Sequence, residues 1–139
     1  KGVTIGISSD ISFEPGSATT KPGFLDILKK IVPTIEESYF MIAVEGHTDS
    51  DPLPKSLRER YPSNWELSGA RASAVVRLLI GLEVDPTRLQ SVGYGEFVPR
   101  DKNTAEIITT DLIQKYNSNP QQKSRNRRVE ITFLAPNKL

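Results

Sequence analysis

The sequence predicts an α/β fold, an α+β sandwich in which helices pack on a mixed four-stranded sheet. Strand-like and helix-like segments alternate along the chain in the order β-α-β-α-β-(α)-β, which is typical of such folds. Tyr39–Glu45 is apolar on both faces, as a central, doubly covered strand is. Ser63-x-x-Glu66 has the spacing of a capping box and predicts the start of a long helix.

Each element has its own signal. Alternating residues predict strands, and apolar residues at i, i+3, i+4 and i+7 predict helices. Pro33 is expected to stop or kink the first helix, and Asn103 to cap the third. In chain order the predicted elements are strand Val3–Ser8, helix Lys21–Val32, strand Tyr39–Glu45, helix Asn64–Leu82, strand Arg88–Tyr94, helix Asn103–Tyr116, a polar turn-rich segment Asn117–Asn126 and strand Val129–Leu134.

The composition limits the classes of function. A chain of 139 residues is most simply one domain, and we predict a single unit over residues 1–139 with its core in about 3–134. The net charge is +1, so no global field favours nucleic acid or a membrane surface. The chain has no cysteine, which excludes disulfides and thiolate metal sites. No apolar run approaches the roughly 20 residues of a membrane span, and Lys1 is expected to be the edge of a fragment or processed chain.

Two opposite charges, Asp49 and Arg71, are the main candidates for a binding site. Asp49 follows the end of the second predicted strand, where α/β folds commonly bind ligands. Arg71 lies about 40° from Leu67 on the helical wheel, near the middle of the apolar face. A guanidinium there requires a carboxylate or a ligand as partner. Together the pair suits an amphoteric group such as an amino acid.

The residues alone leave structural alternatives open for this pair. Asp49 can cap a turn or pair with Arg71, and Arg71 can form an internal salt bridge with Asp49 or Glu45. Either alternative makes the pair part of the fold and not of a binding site.

Other chemistry receives little support from the sequence. His47 with Glu45 and Asp49 is a conceivable metal site, and a Ser-His-Asp triad can be written with Ser50 or Ser68, but no nucleophile elbow or oxyanion hole accompanies it. We therefore expect no catalysis, no metal and no cofactor.

The basic run Lys123–Arg128 lacks interleaved aromatic residues, so we expect a solvated turn, with one or two arginines lining the ligand cleft, and no nucleic-acid binding.

Four motifs in order carry a resemblance to a known family. They are Val44-Glu45-Gly46-His47-Thr48-Asp49-Ser50, Leu67-Ser68-x-x-Arg71-Ala72, Val92-Gly93-Tyr94-Gly95-Glu96 with Pro99, and Asn126-Arg127-Arg128-Val129-Glu130-Ile131. From about Phe13 to Phe133 the chain resembles the OmpA-like peptidoglycan-binding domain. The Asp51-Pro52-Leu53 and Ser63-Asn64-Trp65 segments resemble the branch of the flagellar stator subunit MotB. Type VI secretion anchors share much of the second pattern, and the outer-membrane porin and lipoprotein branches match less well.

The resemblance implies a ligand and the residues that bind it. The family binds the peptide stem of peptidoglycan non-covalently, chiefly through diaminopimelate. By motif, Asp49 receives the ammonium and Arg71 the carboxylate of that residue. Four further residues match positions near the same cleft, namely Thr48, Asn64, Leu67 and Arg128.

The resemblance also implies partners and a location. It implies a periplasmic domain of an inner-membrane-anchored envelope protein, with a membrane-embedded stator partner reached through a missing N-terminal segment, and a homodimer as a further hypothesis. A wall hydrolase using His47 with carboxylates is the catalytic alternative.

The sequence departs from the family pattern at two places. Lys123 stands where the family often has Arg, so the bidentate fork is lost there. Residues 101–122 are longer than the family pattern and are expected to act as an insertion that modifies access or assembly.

Overall fold

The computed structural model describes residues 2–103 and 105–134. These residues form four strands and five α-helices around a single sheet, with 3₁₀ turns at Lys55–Leu57 and Pro86–Arg88. The elements are β1 (Thr4–Ser8), α1 (Ser9–Ser12), α2 (Phe24–Glu36), β2 (Met41–His47), α3 (Asn64–Gly81), β3 (Leu89–Gly93), α4 (Thr110–Lys115), α5 (Pro120–Asn126) and β4 (Arg128–Leu134).

The sheet is mixed and has the order β1-β4-β2-β3. Strand β4 is antiparallel to both β1 and β2, whereas β3 runs parallel to β2. Strand β2 is therefore central, and it is buried from Ile42 to its end at His47. The predicted α/β class, the mixed four-stranded sheet and the central position of the second strand are confirmed.

The main core lies on one face of this sheet. Alternating residues of the strands, such as Ile42, Val44 and Ile131, pack against α2 and α3. Helix α2 contributes Phe24, Leu28 and Ile35, each 0% exposed. Helix α3 contributes Ala72, Ala74, Val75 and Leu79 to the same core, whereas Leu67 of its predicted apolar face packs in a separate small cluster.

Two glycines allow α3 to lie directly on the sheet. A Cβ added to Gly46 of β2 would stand 2.2 Å from the carbonyl oxygen of Ser68. A Cβ added to Gly93 of β3 would stand 2.6 Å from the backbone nitrogen of Gly69. Because the helix backbone touches the strand backbones here, the next turn of α3 is held at a fixed height above the ends of β2 and β3.

The capping box at the start of α3 is confirmed. The Ser63 hydroxyl oxygen accepts the N–H of Trp65, and the same hydroxyl bonds to the Glu66 carboxylate. The helix extends from Asn64 to Gly81, close to the predicted range.

Two helix predictions were wrong in extent. Helix α2 continues through Pro33 to Glu36. A proline removes one backbone hydrogen bond, but burial of Ile35 in the core supports the last turn. The predicted helix Asn103–Tyr116 is helical only from Thr110, because Thr109 provides the cap and Asn103 instead accepts the N–H of Ala105. Residue 104 of that predicted helix lies outside the described residues.

The polar segment after α4 also differs from the prediction of an exposed turn. It contains α5, which Asn119 caps by accepting the N–H of Gln122 and which Pro120 begins. A proline in the first turn and an asparagine before it are typical of a helix start. Across residues 2–103 and 105–134, none of the helices combines the length and apolar character that crossing a bilayer requires.

Candidate ligand-binding site

Arg71 lies in the second turn of α3 with only 5% of its surface exposed. Its Nε donates to the carbonyl oxygen of Ser17 at 2.8 Å, and one Nη donates to that of Glu14 at 3.5 Å. The guanidinium carbon stands 5.1 Å from the centre of the Phe13 ring. The loop between α1 and α2 therefore holds the side chain from one side and leaves its remaining N–H groups for another acceptor.

Burial is the main influence on the charge of Arg71. It lowers the pKa of Arg71 to about 10, and the carboxylates of Asp10 and Asp49 act in the opposite direction. The guanidinium therefore remains protonated at neutral pH. A buried cation of this kind gains most from an anionic ligand, since little water competes for its N–H groups.

The Asp49 carboxylate, 10% exposed, follows the end of β2 and uses both of its oxygens. Oδ1 accepts the N–H of Asp51 at 2.9 Å, which is the turn-capping interaction left open by the sequence. Oδ2 accepts from Nη1 of Arg127 at 2.6 Å. Arg127 also binds Asp10 through Nε at 2.9 Å. Asp49 is thus fixed in position and already neutralised by a guanidinium.

A cleft of about 350 Å³ lies beside Arg71 and Arg127, and it approaches Asp49 only through the bond that Arg127 makes to it. Arg71 and Arg127 both line it, and Asp10 and Phe13 form the adjoining wall. Within the described part of the chain, Arg71 makes no ion pair with Asp49 or Glu45, so the internal salt bridge considered from the sequence is not formed. Arg127 instead stands between the two predicted residues as the partner of Asp49. The cleft is therefore lined by three cations, Lys21, Arg71 and Arg127, and by one carboxylate, Asp10.

Thr48 and Asn64 support the loop that carries Asp49. Both are buried, at 6% and 7% exposed. The Thr48 hydroxyl donates to the Asp49 carbonyl, and its N–H donates to the Gly95 carbonyl. The Asn64 amide donates to the carbonyls of Asp49 and Asp51 at 3.3 and 3.1 Å. These two predicted site residues therefore orient the backbone around Asp49.

Leu67 and Lys123 also lie around this loop. Leu67 is 4% exposed and packs with Leu53 and Tyr61 in a small apolar cluster. Lys123 pairs with Asp51 at 3.0 Å, so its ammonium holds the loop where the family often has an arginine.

Arg128 points to the opposite face of the sheet. It is 5% exposed, and its guanidinium binds Glu130, the carbonyl of Asn126 and the carbonyl of Val98. Its neighbour Arg127 is the residue that reaches Asp49 and the cleft. Strand alternation predicts which of the two arginines faces the cleft. Arg127 has the same parity as the core residues Val129 and Ile131, whereas Arg128 has the parity of Glu130. Asp10, the second partner of Arg127, has no comparable signal in the sequence.

His47 lies within the sheet layer, apart from the cleft. It is 3% exposed, its ring stacks on Tyr94 with 5.2 Å between centroids, and its Nε2 is 3.9 Å from Glu130. Tyr94 donates to Glu45, which also accepts from Thr132. Across residues 2–103 and 105–134, no group of three or more His, Cys, Asp or Glu side chains is arranged to hold a metal ion.

Comparison with known proteins identifies the class to which this fold and cleft belong. Residues 12–127 match the OmpA family, and the chain therefore belongs to that family. Motility protein B of Helicobacter pylori strain J99 is 31% identical over 110 residues, which are 79% of this chain and 36% of that protein. The resemblance predicted from the four motifs is confirmed.

Solved structures show the same architecture. A MotB-like protein from Desulfovibrio vulgaris superimposes with a TM-score of 0.73 at 29% identity, covering 92% of this chain and 70% of that one. The cell wall anchor of the T6SS from Pseudomonas aeruginosa gives a TM-score of 0.72 at 32% identity, covering 96% and 81%. The chain spans about half the length, or less, of the curated relatives it matches.

Proposed function

We propose that this domain binds peptidoglycan non-covalently through the diaminopimelate residue of its peptide stem. The observation that carries the proposal is the buried Arg71 guanidinium on the wall of a cleft whose second arginine, Arg127, binds the Asp49 carboxylate. Arg71 provides N–H donors for a carboxylate, and Asp49 provides acceptors for an ammonium. Diaminopimelate carries both groups on one carbon atom at the end of its side chain, so it satisfies both receptors at once.

The two charges are held in place before any ligand arrives. Helix α3 is fixed on Gly46 and Gly93, and the Arg71 side chain is held by the carbonyls of Glu14 and Ser17. Asp49 is held by Asp51, by Arg127 and by the backbone bonds of Thr48 and Asn64. Such preorganisation reduces the entropy that is lost on binding and favours a ligand whose charges have the matching spacing.

We further propose the role of a non-catalytic anchor in the periplasm. The similarity to motility protein B supports anchoring of a flagellar motor stator, with a membrane-embedded partner reached through a segment outside this chain and with a homodimer as the assembled form. The similarity to a T6SS cell wall anchor supports a second candidate machine with the same wall contact. An OmpA- or Pal-type wall anchor is the remaining alternative within the family.

Titration calorimetry with a diaminopimelate-containing stem peptide tests the site. Arg71→Ala removes a charge-assisted contact at a partly desolvated position, worth roughly 1.5–3 kcal/mol, so affinity should fall about ten- to a hundredfold. Arg71→Lys should recover only part of this loss because an ammonium lacks the planar fork. Asp49→Asn should weaken binding comparably.

Thermal melts of the same variants separate binding from folding. Arg77→Ala is the matched control, because Arg77 is on the same helix but exposed, and it should bind as the unchanged protein does. If folded Arg71→Ala and Asp49→Asn bind the stem peptide with unchanged affinity, the site assignment is wrong and the two residues serve the fold alone.

A further inference from the structure

A second pocket, of about 230 Å³, lies between β1 and the end of α5. We call it the arginine pocket, because four of its eight lining residues are arginines and none is acidic. Its lining consists of Gly6, Ile7, Ser8, Arg100, Ser124, Arg125, Arg127 and Arg128. Because Arg127 also lines the cleft, the two pockets are neighbours that share one side chain.

The carboxylates around the arginine pocket pair with three of its four arginines. Arg125 pairs with Asp101 at 2.6 Å, Arg127 with Asp10 and Asp49, and Arg128 with Glu130. Arg100 differs, since within residues 2–103 and 105–134 its guanidinium takes part in no ion pair. Its backbone N–H, by contrast, is fixed by the Asn126 side chain at 2.7 Å.

The Arg100 guanidinium lies over β1 at Gly6. Its Nη1 lies 3.7 Å from the position that a Cβ on Gly6 would occupy. Arg128, which is 5% exposed, lies on the same side of the sheet. Burial lowers the pKa of Arg128, and the positive charge of Arg100 lowers it further, while Glu130 acts in the opposite direction. Two guanidinium groups that repel each other across a small pocket are both stabilised by an anion placed between them.

We propose that the arginine pocket is an oxyanion site that binds a second carboxylate of the same peptide stem. This inference rests on the proposed function, because the cleft must first hold the diaminopimelate group. A stem peptide carries other carboxylates, at its glutamate and at its C-terminus. Arg127, common to both pockets, gives a continuous cationic path from one anionic group to the next. The planar fork of a guanidinium matches a carboxylate or a phosphate, so free phosphate is the competing ligand for the arginine pocket.

A matched pair of ligands tests the proposal by calorimetry. One is the stem peptide as the free acid, and the other has every carboxylate outside diaminopimelate converted to an amide. The unchanged protein should bind the acid about tenfold more tightly than the amide. Arg100→Gln should lose most of this preference and keep its affinity for the amide, because Arg100 is exposed and contributes no side-chain bond to the cleft. Arg77→Gln, an exposed arginine elsewhere, should keep the full preference.

Failure of this inference is distinguishable from failure of the proposed function. If both peptides bind equally well, or if Arg100→Gln retains the preference, the arginine pocket has no role in stem binding. If neither peptide binds, the proposed function fails. The pocket is also tested alone, by recording the NMR signals of the arginine Nε–Hε groups during titration with acetate and with inorganic phosphate. Saturable shifts at Arg100 and Arg128 with both anions are expected. A response to phosphate alone would overturn the carboxylate assignment, and no response would overturn the site.

Discussion

Arg127 connects two carboxylates that are far apart in the sequence. It binds Asp10 from the short first helix and Asp49 from the end of β2. These bonds raise its pKa above the ordinary arginine value, with the hydrogen bond that Arg127 donates to Asp10 as the largest cause. A single guanidinium, on the residue just before β4, therefore links helix α1 to the loop that carries Asp49.

The Asp10–Arg127 pair gives stability a predictable pH dependence. The hydrogen bond from Arg127 is the main reason that the pKa of Asp10 lies below its usual value. A lowered folded-state pKa gives stability that is fully present above the unfolded value, about 4, and lost as pH falls through the folded value. Asp10→Asn should therefore be less stable than the unchanged protein at pH 6 and equally stable near pH 2.

Urea unfolding at a series of pH values measures this difference. Glu59→Gln, a change at an exposed carboxylate on the loop before α3, is the control and should leave the pH profile unaltered. Parallel profiles for Asp10→Asn and the unchanged protein would show that the ion pair contributes nothing to folding.

At the scale of residues, the sequence predicts the candidate site only in part. Asp49 and Arg71 were predictable because a strand end and a helical wheel give them their positions. Asp10, Phe13 and Ser17 were not, because they approach Arg71 through an irregular loop whose path depends on tertiary packing.

Helix α3 determines where the cleft stands, through its contact with two glycines of the sheet. The contact leaves no space for a side chain on Gly46 or Gly93. By contrast, a Cβ on Gly69 of the helix would meet nothing within 4 Å. Gly93 and Gly69 are therefore adjacent in space but opposite in their tolerance of a methyl group.

This difference predicts opposite effects of the same substitution. Gly46→Ala forces a Cβ onto the Ser68 backbone and should lower the free energy of unfolding by at least about 2 kcal/mol. Gly69→Ala removes a flexible residue from a helix and should raise it by about 0.5–1 kcal/mol. Thermal or urea unfolding of both variants provides the measurement. A stable Gly46→Ala protein with unchanged stem binding would contradict the close approach of α3.

At the scale of elements, most of the fold follows from periodicity and capping, and the exceptions have physical causes. Helix α3 was predictable from one capping box and an apolar stripe. The continuation of α2 beyond Pro33 was not, because burial of Ile35 in the core outweighs the local effect of proline. The segment before α4 has a helical pattern, yet Asn103 and Thr109 both offer caps and the structure uses the second.

The whole molecule has two different sheet faces. One is the apolar core under α2 and α3, and the other carries buried polar groups, among them Glu45, His47, Arg128 and Thr132. The polar groups pair with one another and with nearby backbone, as the bonds of Glu45 and Arg128 show. This arrangement gives His47 and its neighbours a structural role within the sheet layer.

The anchor and the hydrolase are separated by an experiment with purified sacculi. We expect the protein to sediment with the sacculi at physiological salt and to release no soluble muropeptides. Arg71→Ala should remain in the supernatant, since its loss of affinity is large. Release of muropeptides that disappears in His47→Ala would contradict the anchor and support the hydrolase.

Under the proposed function, the bond between Arg127 and Asp49 makes ligand binding an exchange of counter-ions. A cation that approaches Asp49 finds the carboxylate already occupied, so it must displace Arg127 or share an oxygen with it. A simple amine gains little by this replacement, because Nη1 of Arg127 then loses its acceptor while Nε and Nη2 stay bound to Asp10. A ligand that also brings a carboxylate supplies the displaced guanidinium with a new partner. Under the proposed function, the cleft therefore selects a zwitterion over a simple amine, because only a zwitterion supplies new partners to both Asp49 and Arg127.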